Sequence, residues 1–134
     1  MSGVGPERGA DPRSRRLFHI TSAEAWARAQ VDGDYRAPSL ATEGFVHLSG
    51  EGQWLATANR WFRGQRGLVL LAIDGDRLTA AVRWEPAVPP LPDGETYPHL
   101  YGPLALAAVI AVHALPVDDA GAIGVPAGFG GPRP

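Results

Sequence analysis

The chain has 134 residues, 45% of them apolar, which suits one domain with its own core and excludes global disorder. Its net charge of −2 gives no electrostatic footprint for duplex nucleic acid, so no such partner is expected. Cysteine is absent and all 12 basic residues are arginine, which excludes disulfides, thiolate nucleophiles, zinc–thiolate centres, Schiff-base lysines and a P-loop lysine.

Residues 1–16 show no apolar periodicity and read as a disordered arm; no secretory-type apolar run follows, which predicts a cytoplasmic location. Leu17-Phe18-His19-Ile20-Thr21 is a β-type run. Thr21 and Glu24 match a capping box for a helix over Ala23 to Gln30, and Gly33 ends it. Gly44 to Ser49 reads as a second strand. A helix follows over Gln53 to Phe62, with Trp54, Ala58 and Trp61 on one apolar stripe. Leu68 to Ile73 is a continuous apolar run suited to a central strand, and Leu78 to Trp84, after the Asp74-Gly75-Asp76 turn, is its expected hairpin partner. Residues 86–98 carry five prolines and read as an extended stretch that no interior strand would use. Val109 to Leu115 closes the core, with Val109, Ala111, His113 and Leu115 on one face. Residues 117–134 end in a Gly/Pro-rich tail expected to be flexible, leaving 17–116 as the single folded domain. No apolar run of about 18 residues occurs, so no membrane span is expected. The fold class is α+β, with two helices near the N-terminus.

With thiols and amines gone, histidine and glutamate carry the available acid–base chemistry. His19 and His47 each sit inside a strand. On the second, Phe45, His47 and Ser49 share a face; the alternative for His47 is a buried imidazole bonded to backbone. Thr21 stands two residues after His19, so neighbouring strands would bring two imidazoles and two hydroxyls to one pocket. Glu85 ends a strand beside the proline-rich stretch, either as a general base or as a solvated carboxylate. Tyr97-Pro98-His99-Leu100-Tyr101-Gly102-Pro103 holds two aromatics and an imidazole between prolines, either a site wall or a hydrophobic plug. Arg60 reaches a phosphate or faces solvent; His113 reads as core. No H-x-H or H-x-x-x-H pair occurs, so no metal site is expected, and no G-x-S-x-G elbow is present.

Leu17–Thr21, Gly33-Asp34-Tyr35, Gly44–Ser49, Ala58-Asn59-Arg60-Trp61-Phe62, Trp84-Glu85 and Tyr97–Gly102 follow in an order that resembles the DUF952 family over residues 17–116. That family looks like a compact relative of the ADP-ribosyltransferase fold. The resemblance implies a split antiparallel β-sheet or half-barrel holding a ligand between two sheets, with NAD or ADP-ribose as the small-molecule ligand. His19 would hold a ribose hydroxyl, and His47 and Ser49 would flank the nicotinamide ribose. Glu85 would steady a cationic transition state, and Tyr101 or Tyr35 would stack on a planar base. His47 and Glu85 are thus the candidate catalytic residues; His19, Thr21, Ser49, His99 and Tyr101 are the candidate ligand-binding residues. A non-catalytic nucleotide-binding module, and a cyclase or lyase reusing the pocket, are the alternatives to ADP-ribosyl transfer.

Overall fold

A strand apolar at every position needs cover on both faces, and the fold is organised around one. In the computed structural model, which describes residues 11–129, that strand is β4 (Leu68–Asp74), with Leu68 to Ile73 all buried. It is the centre of a three-stranded antiparallel sheet, between β1 (Arg16–Ser22) and β8 (Val109–Ala114). One face, with Leu17, Leu71 and Ile73, packs on Ala29 and Trp26 of helix α1 (Ala23–Asp32) and on a second sheet. The other, with Phe18, Ile20, Leu70 and Ala72, packs on Trp54 and Ala58 of helix α3 (Trp54–Trp61) and on Ile123.

The second three-stranded sheet has the order β3 (Val46–His47), β6 (Thr96–Leu100), β5 (Val82–Pro86). A two-residue strand β2 (Asp34–Tyr35) pairs with β7 (Leu104–Ala105). The short segment 46–49 joins the two main sheets. Its first two residues pair with β6, and Ser49 exchanges both backbone bonds with Phe18 of β1, each 2.8 Å long.

Several expectations need correcting. β5 is no hairpin partner of β4; it pairs with β6 in the other sheet, and β8 takes the free edge of β4. Part of the proline-rich stretch is an interior strand, because β6 is central despite Pro98. An antiparallel residue turns its N–H and C=O to the same neighbour. The Pro98 carbonyl accepts from Leu48 N at 3.0 Å, so the missing donor faces the point where β3 ends. The β8 face is split: Ile110 is extra in the register, so Val109 lies opposite Ile73 and Ala111 opposite Ala72, on different faces. The N-cap of α1 is Ser22, whose Oγ accepts from Ala25 N at 3.0 Å; Thr21 stays in the strand. Among the described residues there are three α-helices, not two, since α2 (Pro38–Glu43) precedes Gly44. Its signals are Pro38 at the first turn and left-handed Gly44 (φ 91) behind the last.

The domain limits widen. Residues 1–10 and 130–134 lie outside the described structure. Of the expected arm, Pro12–Arg15 form a 3-10 turn and Arg16 already belongs to β1. Ser14 Oγ accepts from Trp84 Nε1 at 2.9 Å, and the Arg13 guanidinium lies 4.0 Å from the Trp84 ring centroid. This segment crosses so close to Gly75 that a Cβ there would meet the Ser14 carbonyl at 1.6 Å. The described part of the tail is held too. Asn59 of α3 accepts from Ile123 N at 2.8 Å and donates to Ile123 O at 2.9 Å, and Phe129 packs on Phe18 and Trp54. Those two bonds, absent from any helix or strand ladder, fix the tail in register. We expect Asn59→Ala to cost about 1–3 kcal/mol and to make residues 117–129 the first site of limited proteolysis. An unchanged cleavage pattern would show that the apolar contacts, with the bonds that Gly64 N, Arg63 and Arg66 donate to the Gly121, Ala120 and Val117 carbonyls, hold the tail without Asn59.

Candidate functional site

The segment 46–49 leaves one sheet for the other, and a cavity of about 480 Å³ opens beside it. Its walls include His19 and Thr21 of β1, Tyr35, His47 and Ser49, and His99 of β6. Thus five of the expected site residues line one cavity. α3 contributes Arg60 and Trp61, its C-cap Phe62 adds a ring, and the β5–β6 connection contributes Val88, Pro89 and Leu91.

His19 is buried and fully used by the protein. Its Nδ1 lies 2.7 Å from the His47 carbonyl, which can only accept, so Nδ1 carries the proton. Nε2 lies 2.9 Å from the Tyr35 hydroxyl, itself 3.0 Å from Thr21 Oγ1. Burial pushes the His19 pKa down to about 4, against the carbonyl bond that favours the charged ring. A neutral ring leaves Nε2 bare, so the Tyr35 proton goes to it and Thr21 donates to Tyr35. Burial also raises the Tyr35 pKa. His19 and Thr21 therefore brace β1 against β2 and the segment 46–49, and neither His19 ring nitrogen is left for a ligand.

His99 is different. It is 1% exposed, and Phe45 stacks on its ring at 4.0 Å between centroids. Its Nδ1 donates to Glu85 Oε1 at 2.8 Å, and the Tyr101 hydroxyl donates to the same oxygen at 2.5 Å. These bonds, Tyr101 first and His99 second, hold the Glu85 carboxyl below its usual pKa; the same oxygen raises that of Tyr101. His99 Nε2 has no hydrogen-bond partner among the described residues. Strand pairing explains the group. His47 and Arg83 lie directly across from His99 on either side, and Glu85 lies across from Tyr97, one diagonal step away on the same face. Glu85, one-third exposed, and Tyr101 do not line the cavity. Glu85 and Tyr101, expected on the cavity wall, are instead engaged with His99 and with each other outside its lining.

His47 lines the cavity with its ring edge-on to Phe45 and His99, and its Nε2 is 3.1 Å from Glu43 Oε1. Ser49 is buried, with Oγ 3.5 Å from Thr57 Oγ1. Trp61, expected on one apolar stripe with Trp54 and Ala58, is 54% exposed on the cavity wall, whereas those two are buried. His113 is half-buried on the far side of β4, edge-on to Phe129. Glu43 and Phe45 were not expected as partners of the histidines. Glu43 stands four residues before His47, but the signal is readable only once α2 is known. No three metal-ligating side chains converge among the described residues.

The sequence profile of a family described as "Protein of unknown function (DUF952)" matches residues 20–112. The crystal structure of the protein CC0527 from Caulobacter crescentus is similar at 34% identity and a TM-score of 0.73, covering 81% of this chain and 93% of that one. A double mutant of that protein gives 33% identity and a TM-score of 0.72 over 81% and 93% of the two chains. Its solution NMR structure gives 34% and 0.67 over 81% and 90%. No curated protein matches the sequence.

Proposed function

This chain belongs to the DUF952 family, and we propose that it binds a small, partly planar anion in the cavity beside segment 46–49. The observation that carries this reading is a buried imidazole, His99, on the wall of a 480 Å³ cavity with its Nε2 left unpartnered. A buried polar atom without a partner costs stability unless something supplies one. The cavity volume is that of sites for cofactor-sized molecules. Among the described lining residues Arg60 is the one permanently charged side chain and no carboxylate is present, which favours an anion. Trp61, Phe62 and Tyr97 offer ring faces to a planar body.

NAD and ADP-ribose have this chemistry, and they fit the resemblance to ADP-ribosyltransferases. ADP-ribosyl transfer itself is less well supported. Glu85 stands behind His99, where it would not meet a cationic sugar, and His19 has no free nitrogen for a ribose hydroxyl. A binding module of nucleotide size is the reading retained. Thermal-shift and saturation-transfer measurements with NAD and ADP-ribose at millimolar concentration test it. A ligand at 100 times its Kd should stabilise the fold by about 2.7 kcal/mol, and Arg60→Ala should weaken that binding. No binding of either compound would remove the nucleotide assignment.

A further inference from the structure

A hydroxyl group can give or take a hydrogen bond, and what it offers a ligand depends on where its one proton is already spent. For three hydroxyls of the cavity the protein decides this. The His47 carbonyl holds the His19 proton on Nδ1, so the bare Nε2 takes the Tyr35 proton. The Tyr35 oxygen in turn takes the Thr21 proton. Both residues line the cavity, with 5% of Tyr35 and 8% of Thr21 still exposed. Ser39, half-buried in the first turn of α2, lines it too, and its Oγ donates to the Phe45 carbonyl at 2.7 Å. Three oxygens from β1, β2 and α2 therefore have lone pairs to offer and no proton.

The side formed by α3 and the residues after it is the reverse. Arg60 can only donate, and the Gln65 amide adds two N–H groups. Thr57 Oγ1 lies 3.5 Å from Ser49 Oγ, which donates to it, so the Thr57 proton is unspent among the described residues. The cavity thus accepts from one set of elements and donates from another. An anionic group is satisfied by Arg60. The same group, or a carbonyl, against Thr21, Tyr35 and Ser39 would set lone pairs against lone pairs and leave buried acceptors without a partner, which costs binding.

We propose that this cavity takes an anion whose uncharged end carries hydroxyl or N–H donors, and that Thr21, Tyr35 and Ser39 are the specificity-determining residues that accept from them. This rests on the cavity being a ligand site and adds the hydrogen-bond polarity of what enters it. Molecules acidic at both ends, or ending in a carbonyl, are selected against.

Three benzoates test this on the full chain, because they share ring and charge and differ in the group opposite the carboxylate. 4-Hydroxybenzoate ends in a donor, 4-methylbenzoate in neither donor nor acceptor, and 4-formylbenzoate in an acceptor. In chemical-shift titrations at millimolar concentration the hydroxy compound should bind about tenfold more tightly than the methyl compound, and the formyl compound most weakly. Tyr35→Phe returns the Thr21 proton to the cavity, so the formyl compound should gain affinity as the hydroxy compound loses it. Loss of packing would weaken both. Ser39→Ala, at a half-buried position, is the second variant should Tyr35→Phe fail to fold. It should bring the hydroxy compound toward the methyl compound and leave the methyl compound unchanged. Equal or tighter binding of the methyl or formyl compound by the wild-type protein would overturn the proposal, as would an unchanged preference in the variants. Either result would leave the cavity a ligand site. No binding of any benzoate would overturn the proposal too, and if NAD and ADP-ribose also fail, the ligand-site reading falls with it.

Discussion

Phe18→Ala should cost about 3–5 kcal/mol, the range for emptying a fully buried aromatic site, and is the most damaging single truncation expected here. Phe18 is 0% exposed, and its ring centroid lies 6.3 Å from that of Trp54 and 6.0 Å from that of Phe129. One side chain thus joins β1, α3 and the end of the described tail. Those partners cannot all move inward, because β1 is bonded to β4 along its whole length. Its backbone also makes the bridge to Ser49, so relaxation around the hole would disturb the junction between the sheets. Urea unfolding measures the loss. Val31→Ala, at an 82% exposed helix position, is the control and should shift stability by less than about 0.5 kcal/mol. A Phe18→Ala loss below 1 kcal/mol would mean that the second apolar cluster closes over the gap.

Acid should weaken the protein through His19. Its pKa is pushed down to about 4 in the folded state by burial, against an ordinary value of 6.5. Between those values the unfolded chain binds a proton that the folded protein refuses. Stability is therefore full above pH 6.5 and falls as the pH falls toward 4. At about 1.4 kcal/mol per pH unit the window amounts to roughly 3 kcal/mol. His19→Gln, which keeps a donor for the His47 carbonyl, should be less stable at pH 7.5 but should lose roughly 2.5 kcal/mol less between pH 7.5 and 4.5. Paired urea titrations at the two pH values give the difference. Equal acid losses in both proteins would show that His19 is charged in the fold, or that the network opens to admit the proton.

What the sequence makes legible is local or strongly patterned. The apolar run in β4, the strand holding His19, the αL glycine at the end of α1 and the Trp54–Ala58 stripe of α3 all depend on neighbours within a few residues. The site histidines stand out because few other groups in this composition can exchange protons near neutral pH. What is hidden depends on pairing between distant segments. Pro98 signals against a central strand, and only the early end of β3 removes the conflict. Glu85 looks like a cavity carboxylate until its diagonal position relative to His99 is known. The His19–Tyr35–Thr21 network spans three elements, one of them a two-residue strand with no detectable period. The 117–129 tail has turn composition, but two bonds from Asn59, bonds from Gly64, Arg63 and Arg66, and the packing of Phe129 hold it down.

The junction at segment 46–49 also sets where the chain can change length. Between His47, bonded into one sheet, and Ser49, bonded into the other, there is one residue. Adding or deleting one there would turn every later side chain of the segment to the opposite face. The 87–95 connection carries no such constraint: it lies between β5 and β6 and reaches the cavity through Val88, Pro89 and Leu91. Insertions and deletions in that connection can reshape one wall while the strand registers and His99 stay fixed. Divergence in what homologous chains accept should therefore be written in the length of that loop, against a junction whose residue count does not vary.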